Sequence, residues 1–331
     1  MLQFFRNNNF FTSFLVILYF TFFSINIWLY PNDNLLKLEA FPSTLSNLFF
    51  NLFIDTPFKN KLWYSIFLLL QAFLINGIIS YFKLTKRQTY ITAICFIMIH
   101  FSYHDIDLTT PVLIANTLLL WSIFNLFASS DNRISLGKVF NVGFSIGIAT
   151  LLYNGNAVFI VWALFSLYII RAFNPQEYIL LIFGFCLPFY FIGTYHFLNN
   201  NLELWIQQEI LVHYNNMNTQ FHVDNQLYLL IGIMISIYFL ALVNMQNIYY
   251  KTTARKKKNI TAIYLMPAIG LFSFFVQKDL NSYHFISFFV PLGILLSLSL
   301  QSLRSNALIE GIHFILFMLC FGIQFQSLIY N

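Results

Sequence analysis

The sequence predicts an all-α fold: a polytopic transmembrane helical bundle of about 11 spans, a single integral membrane domain over residues 1–331, with an amphipathic helix on its outer face. Three observations predict it. Apolar residues make up 59% of the 331 positions, charged residues only 9%, and mean hydropathy is +0.70. Soluble domains run roughly 45–50% apolar and 25% charged, so lipid is the expected solvent for this surplus. The apolar residues fall in runs of spanning length. The lysines and arginines fall between those runs or at their ends, most of them on one side.

A span needs about 20 mostly apolar residues. That rule marks 10–30, 60–82, 89–103, 110–128, 138–153, 156–172, 177–197, 225–246, 260–277, 283–302 and 306–329, of which the third and fifth are short. The first run is long enough to span and has no small-residue cleavage site, so it is expected to stay as a span. With the N-terminus inside, 13 of the 17 Lys and Arg lie on the inner side, from Arg6 through Lys83, Arg87, Arg133, Lys138, Arg171 and Lys251 to Arg304. Lys37, Lys59, Lys61 and Lys278 lie outside. Cationic loops stay cytoplasmic, so the partition sets the orientation, and an odd span count puts the C-terminus outside. The Arg255–Lys258 run reads as part of that signal on a short inner loop, and no nucleic-acid partner is expected.

Inside the runs, Cys95, Cys186 and Cys320 have neither metal-ligand spacing nor loop placement and read as small hydrophobes. The amides Gln71, Asn76, Asn116, Asn125 and Asn141 are expected to bond to neighbouring helices. Asn154-Gly155-Asn156 reads as a tight turn. No charged residue lies mid-span, which argues against an ion pump or a proton-coupled relay.

Carboxylates and imidazoles gather outside. Of the 12 Asp and Glu, only Asp131, Glu177 and Glu310 fall at inner ends. His100, His104, His196, His213, His222 and His284 lie at or beyond outer ends. Acidic residues contribute little to topology, so insertion rules leave this bias unexplained. Three outer segments hold most of it: 31–59, the turn at 100–107, and 196–224. In the third, Leu202, Trp205, Ile206, Glu209 and Ile210 share near-helical spacing. A surface helix over 202–213 is expected, with Trp205 and Ile206 toward lipid and Glu203 toward water.

The turn His100-Phe101-Ser102-Tyr103-His104-Asp105-Ile106-Asp107 precedes Pro111, which begins the next span. Two readings fit it. Asp107 or Thr109 caps that helix, where the dipole favours negative charge. Alternatively, Asp105 and Asp107, two residues apart, hold a divalent ion through oxygen ligands, with His100 and His104, on one helix face if the third span continues that far, adding nitrogen. No Walker loop, G-x-S-x-G, H-E-x-x-H or dinucleotide fingerprint occurs.

Several stretches resemble an uncharacterised family of multi-pass membrane proteins of the Bacteroidota. They are Leu70-Gln71-Ala72-Phe73, Thr89-Tyr90, Leu113-Ile114-Ala115-Asn116, Phe140-Asn141-Val142-Gly143-Phe144, Arg171-Ala172-Phe173-Asn174-Pro175-Gln176-Glu177-Tyr178 and Phe289-Val290-Pro291-Leu292-Gly293. That resemblance implies a bacterial inner membrane, with the N-terminus cytoplasmic and the C-terminus periplasmic on the charge argument. It implies no activity. In layout the chain is also similar to GT-C-type glycosyltransferases, which use polyprenyl-phosphate sugars at the outer leaflet. They carry an acid in the first outer loop, and some carry a D-x-D in the second. Asp33 matches the first position, and Asp105 and Asp107 the second. The first outer loop is short, Asn32-Asp33-Asn34 has a single acid, and no soluble domain follows.

The layout resemblance implies sugar transfer from a polyprenyl-phosphate carrier, with Asp33, Asp105 and Asp107 catalytic. Asp105, Asp107 and His104 would hold Mg or Mn, and His104 and His284 would contact substrate. The alternative is a non-enzymatic scaffold or transport subunit of a cell-envelope complex.

Overall fold

The computed structural model describes residues 5, 9–29, 45–46, 56–85, 87–103, 111–130, 136–207, 220–221, 225–250, 252–275, 279–280 and 282–325. Among them are twelve α-helices. They are α1 Phe10–Leu29, α2 Pro57–Tyr81, α3 Ile91–His100, α4 Pro111–Ala128, α5 Leu136–Leu152, α6 Phe159–Ile170, α7 Pro175–Leu198, the short α8 Leu202–Trp205, α9 Asn225–Tyr250, α10 Ala254–Gly270, α11 Ile286–Ser302 and α12 Asn306–Gln324. Each apolar run contains all or most of one of these helices. Six of them, α1, α2, α4, α7, α9 and α12, are long and apolar enough to cross a membrane. Apolar but shorter are α3, α5, α6 with the 3-10 turn before it, and α11. The chain is a multi-pass helical membrane protein.

Local sequence sets the helix starts. Thr56 precedes α2 and accepts a hydrogen bond from the Lys59 N–H at 3.3 Å. Asn174 precedes Pro175 and accepts from the Gln176 N–H at 3.2 Å, and Ser305 accepts from the Leu308 N–H at 3.4 Å. Each cap satisfies an orphan amide, and proline at the first helical position lacks the donor that would be orphaned.

Burial sorts the helices into centre and rim. All ten residues of α3 are buried, as is α11 apart from Gln301. A helix apolar on all sides belongs inside. The two approach closely at Gly293, where a Cβ would lie 3.1 Å from the Phe96 Cα. The rim helices leave Phe14, Ile66, Trp121, Phe165, Phe183, Phe239 and Phe314 exposed, an apolar surface suited to a lipid bilayer.

Helices α5 and α7 pack backbone to backbone. A Cβ at Gly143 would overlap the Leu181 carbonyl. Cβ atoms at Gly147 and Gly184 would lie 2.5 Å from the carbonyl oxygens of Phe185 and Phe140. Small residues allow this approach where lipid offers no hydrophobic drive to pack helices.

The bundle has one Lys/Arg-rich end. Lys138 Nζ donates to Ala128 O at 2.8 Å, Arg171 to Ser129 O, and Arg255 Nη2 to Ser130 O at 2.6 Å. Lys258 Nζ reaches Ile170 O at 3.3 Å. These carbonyls end α4 and α6, where four acceptors per helix lack intrahelical partners and the dipole favours cations. Arg171 also pairs with buried Glu177 at 2.9 Å.

One expectation is corrected. Trp205 does not face lipid: it is buried, and its indole stacks on His196 with ring centroids 5.5 Å apart. The reason lies in α7. Gly193 presents no side chain and His196 presents a flat ring, so the indole lies against the helix end. Residues 208–213 of the expected surface helix lie outside the described residues.

Candidate functional site

The end opposite the basic cluster carries a cluster of buried, hydrogen-bonded polar side chains. Its centre is His284, in the 3-10 turn Ser282–Phe285 just before α11. The ring is buried, and its Nδ1 lies 2.7 Å from Tyr153 Oη and its Nε2 2.7 Å from Ser273 Oγ. The Ser273 hydroxyl donates to Gly270 O. A hydroxyl has one proton, so Ser273 must accept from the imidazole. The network therefore assigns the Nε2–H tautomer, with Tyr153 donating to Nδ1. Phe274 and Phe288 close over the ring. A substrate contact by His284 requires exchange of one of these two bonds.

The turn beside it is more than a connector. Asn154–Val158 forms a 3-10 helix in which Gly155 lies against the rings of Tyr153 and His284, where a Cβ would meet Tyr153 at 2.7 Å. Asn156 is buried, donates to Ala149 O at 3.2 Å and accepts from Ser287 Oγ at 2.9 Å. Asn116 of α4 donates to Ile286 O at 2.9 Å, which fixes the start of α11. Replacement of Tyr153 by Phe should leave Nδ1 without its donor, lowering stability by about 1–3 kcal/mol. Thermal unfolding in detergent measures this. Tyr153→Phe and Ser273→Ala should be strongly non-additive, because both act through one ring.

A second knot joins α1, α3 and α12. Gln324 Nε2 donates to Phe101 O at 3.0 Å and to Tyr103 O at 3.1 Å, and Gln324 O accepts from Asn26 Nδ2 at 2.6 Å. Next to it His100 is 1% exposed, packed by Tyr64, Phe96, Phe101 and Phe289. Neither of its ring nitrogens has a hydrogen-bond partner among the described residues. A buried polar group in that state calls for an explanation.

Of the sequence-predicted site residues, His284 and the candidate ligand His100 are described. Asp33, His104, Asp105 and Asp107 lie outside the described residues. Their described flanks do converge: Asn26 near the end of α1, Phe101 and Tyr103 after α3, and Phe289 of α11 against His100. A short parallel pairing of Gln220–Phe221 with Asp279–Leu280 ties the 196–224 segment to the loop before His284. No group of three His, Cys, Asp or Glu suited to a metal occurs among the described residues.

Tyr153, Ser273, Asn156 and Gln324 carry this assembly without a sequence signal. Hydroxyls and amides at span ends are frequent, and only the fold pairs residues as far apart as Tyr153 and His284. No family model, curated protein or solved structure matches the chain.

Proposed function

We propose that this membrane protein transfers a sugar from a polyprenyl-phosphate carrier at the end of the bundle opposite its basic cluster. On the cation distribution that end faces outward, and in the bacterial inner membrane that the family resemblance implies the outward side is the periplasm. The layout resemblance supplies the substrate class. The observation that supports this place is the Gln324 knot, because Asp33 follows α1, and Asp105 and Asp107 come within four residues of Tyr103 in the chain.

In this reading Asp33 removes the proton of an acceptor hydroxyl, and that oxygen attacks the anomeric carbon. The bond from that carbon to the phosphate oxygen breaks, and polyprenyl phosphate leaves with the negative charge. A divalent cation, Mg or Mn, would supply charge screening for the departing phosphate. Asp105, Asp107 and His104 would hold it, and His100, a buried imidazole with both nitrogens unengaged among the described residues, is a further nitrogen donor at the same helix end. His104 also borders the sugar. His284 reaches it only by exchanging Tyr153 or Ser273.

The test is release of polyprenyl phosphate from a panel of polyprenyl-phosphate hexoses by the protein in nanodiscs. Wild-type protein should release it, and chelation by EDTA should stop it. Asp105→Asn with Asp107→Asn should abolish release with the amount of inserted protein unchanged, since Asn caps a helix as well as Asp does. Full release by the double variant would sink the cation site and leave capping. Absence of release from every donor would sink the transferase reading in favour of a scaffold.

A further inference from the structure

A cavity of about 270 Å³ opens at the Lys/Arg-rich end, between the α2–α3 turn, the ends of α9 and α11, and the start of α12. It plays no part in the transfer chemistry, which sits at the other end. Its polar wall includes Thr85, Arg87, Thr89, Gln301, Ser302 and Asn306, and its floor is leucine and isoleucine. Among the described residues no carboxylate lines it.

Two groups in this wall lack counterparts among the described residues. Arg87 is exposed and makes no ion pair among the described residues. Gln301 Nε2 is buried with no hydrogen-bond acceptor among them. A buried donor without an acceptor is costly, and an acceptor-rich ligand removes that cost. The start of α3 adds to the same field. Tyr90 makes no side-chain cap there, and Ile91, the first residue of α3, lines the cavity, so the positive end of that helix dipole lies beside it. Thr85 Oγ1 donates to Arg87 O at 2.8 Å, which holds the turn carrying the guanidinium.

Cation, amide donors and helix amides over an apolar floor match one chemistry. An arginine fork pairs with two oxygens of a phosphate, and the floor receives an organic substituent. We infer that this cavity binds a phosphate ester, its phosphate between Arg87 and Gln301 and its substituent on the leucine–isoleucine floor. A phospholipid headgroup and a soluble phosphate ester share that chemistry, and basic pockets between membrane helices are suited to anionic lipid.

The experiment uses the full chain in phosphatidylcholine nanodiscs, with two probes. Phosphatidylglycerol is added to the bilayer and its retention read by native mass spectrometry. Glycerol phosphate is added to solution and read by thermal shift. At least one probe should bind wild-type protein, and the responding probe names the source. Binding should fall roughly tenfold or more in Arg87→Ala, and likewise in Gln301→Leu, which keeps every charge. Arg304→Ala, an exposed arginine at the same end but outside the cavity wall, should bind as wild type does. Arg87 is exposed, so its variant should fold even if Gln301→Leu does not. Equal losses in Arg87→Ala and Arg304→Ala would mean diffuse surface attraction and overturn the site. So would full binding by a folded Gln301→Leu, or no binding of either probe.

Discussion

Alanine at Gly143 is expected to prevent α5 and α7 from closing, and most of the protein should be lost from the monodisperse fraction after detergent extraction. The new Cβ would overlap the Leu181 carbonyl and lie 2.9 Å from the Phe185 amide nitrogen. Both are backbone atoms, which cannot rotate away as a side-chain tip can. Overpacking typically costs about 1–3 kcal/mol, and here relief requires two whole helices to separate, so the upper end or more applies. Gly147→Ala and Gly184→Ala should behave similarly, each meeting a carbonyl oxygen at 2.5 Å. Gly77→Ala and Gly232→Ala are the controls. Nothing lies within 4 Å of their added Cβ atoms, and alanine favours a helix interior by about 0.8–1 kcal/mol. A Gly143→Ala protein as stable as Gly77→Ala would disprove the close α5–α7 contact.

Arg171→Met should be the most damaging change at the basic end. Glu177 is 2% exposed, and its carboxylate lies 2.9 Å from Arg171 Nη2. Removal of the guanidinium strands a buried charge, at a cost of about 3–5 kcal/mol, and also frees the Ser129 carbonyl. Arg171→Met with Glu177→Leu should recover most of that loss, because an apolar pair avoids desolvating two charges. Chemical unfolding of the two single variants and the double variant supplies the cycle. Additive losses would show that the two side chains do not stabilise one another.

What the sequence made legible follows from the strength of the solvent constraint. In lipid every backbone group must bond within its own segment, so an apolar run of sufficient length has one outcome. That is why each of the eleven runs holds a helix among the described residues, even the short ones at 89–103 and 138–153. Side-chain direction was less legible. Trp205 carries the composition of an interfacial residue, yet Gly193 and His196 offered it a better surface within the protein. Arg255 and Lys258 read as an orientation signal, and in the structure they also cap α4 and α6, a pairing that depends on helices far apart in sequence. Amide partners were legible in part. Gln71 bonds across to Leu113 O and Thr117, whereas Asn125 turns back to Trp121 O on its own helix. For the candidate site the chain showed the polar segments but not their meeting, because no local pattern encodes Gln324 against Phe101 and Tyr103.

The Gln324 knot also sets a schedule for biogenesis. Asn26 and the residue it bonds to are separated by 298 positions. At roughly 5–20 residues per second, about 15–60 s of translation elapse between them. For that interval α1 sits in the bilayer with a buried-type amide and no Gln324 to accept its proton. The bond to the Gln324 carbonyl forms only when α12 docks, so the packing of α1 in the bundle is completed last. A ribosome stalled before Asn306 should therefore leave the first helix crosslinkable to whatever shelters it, and release of the stall should erase that crosslink.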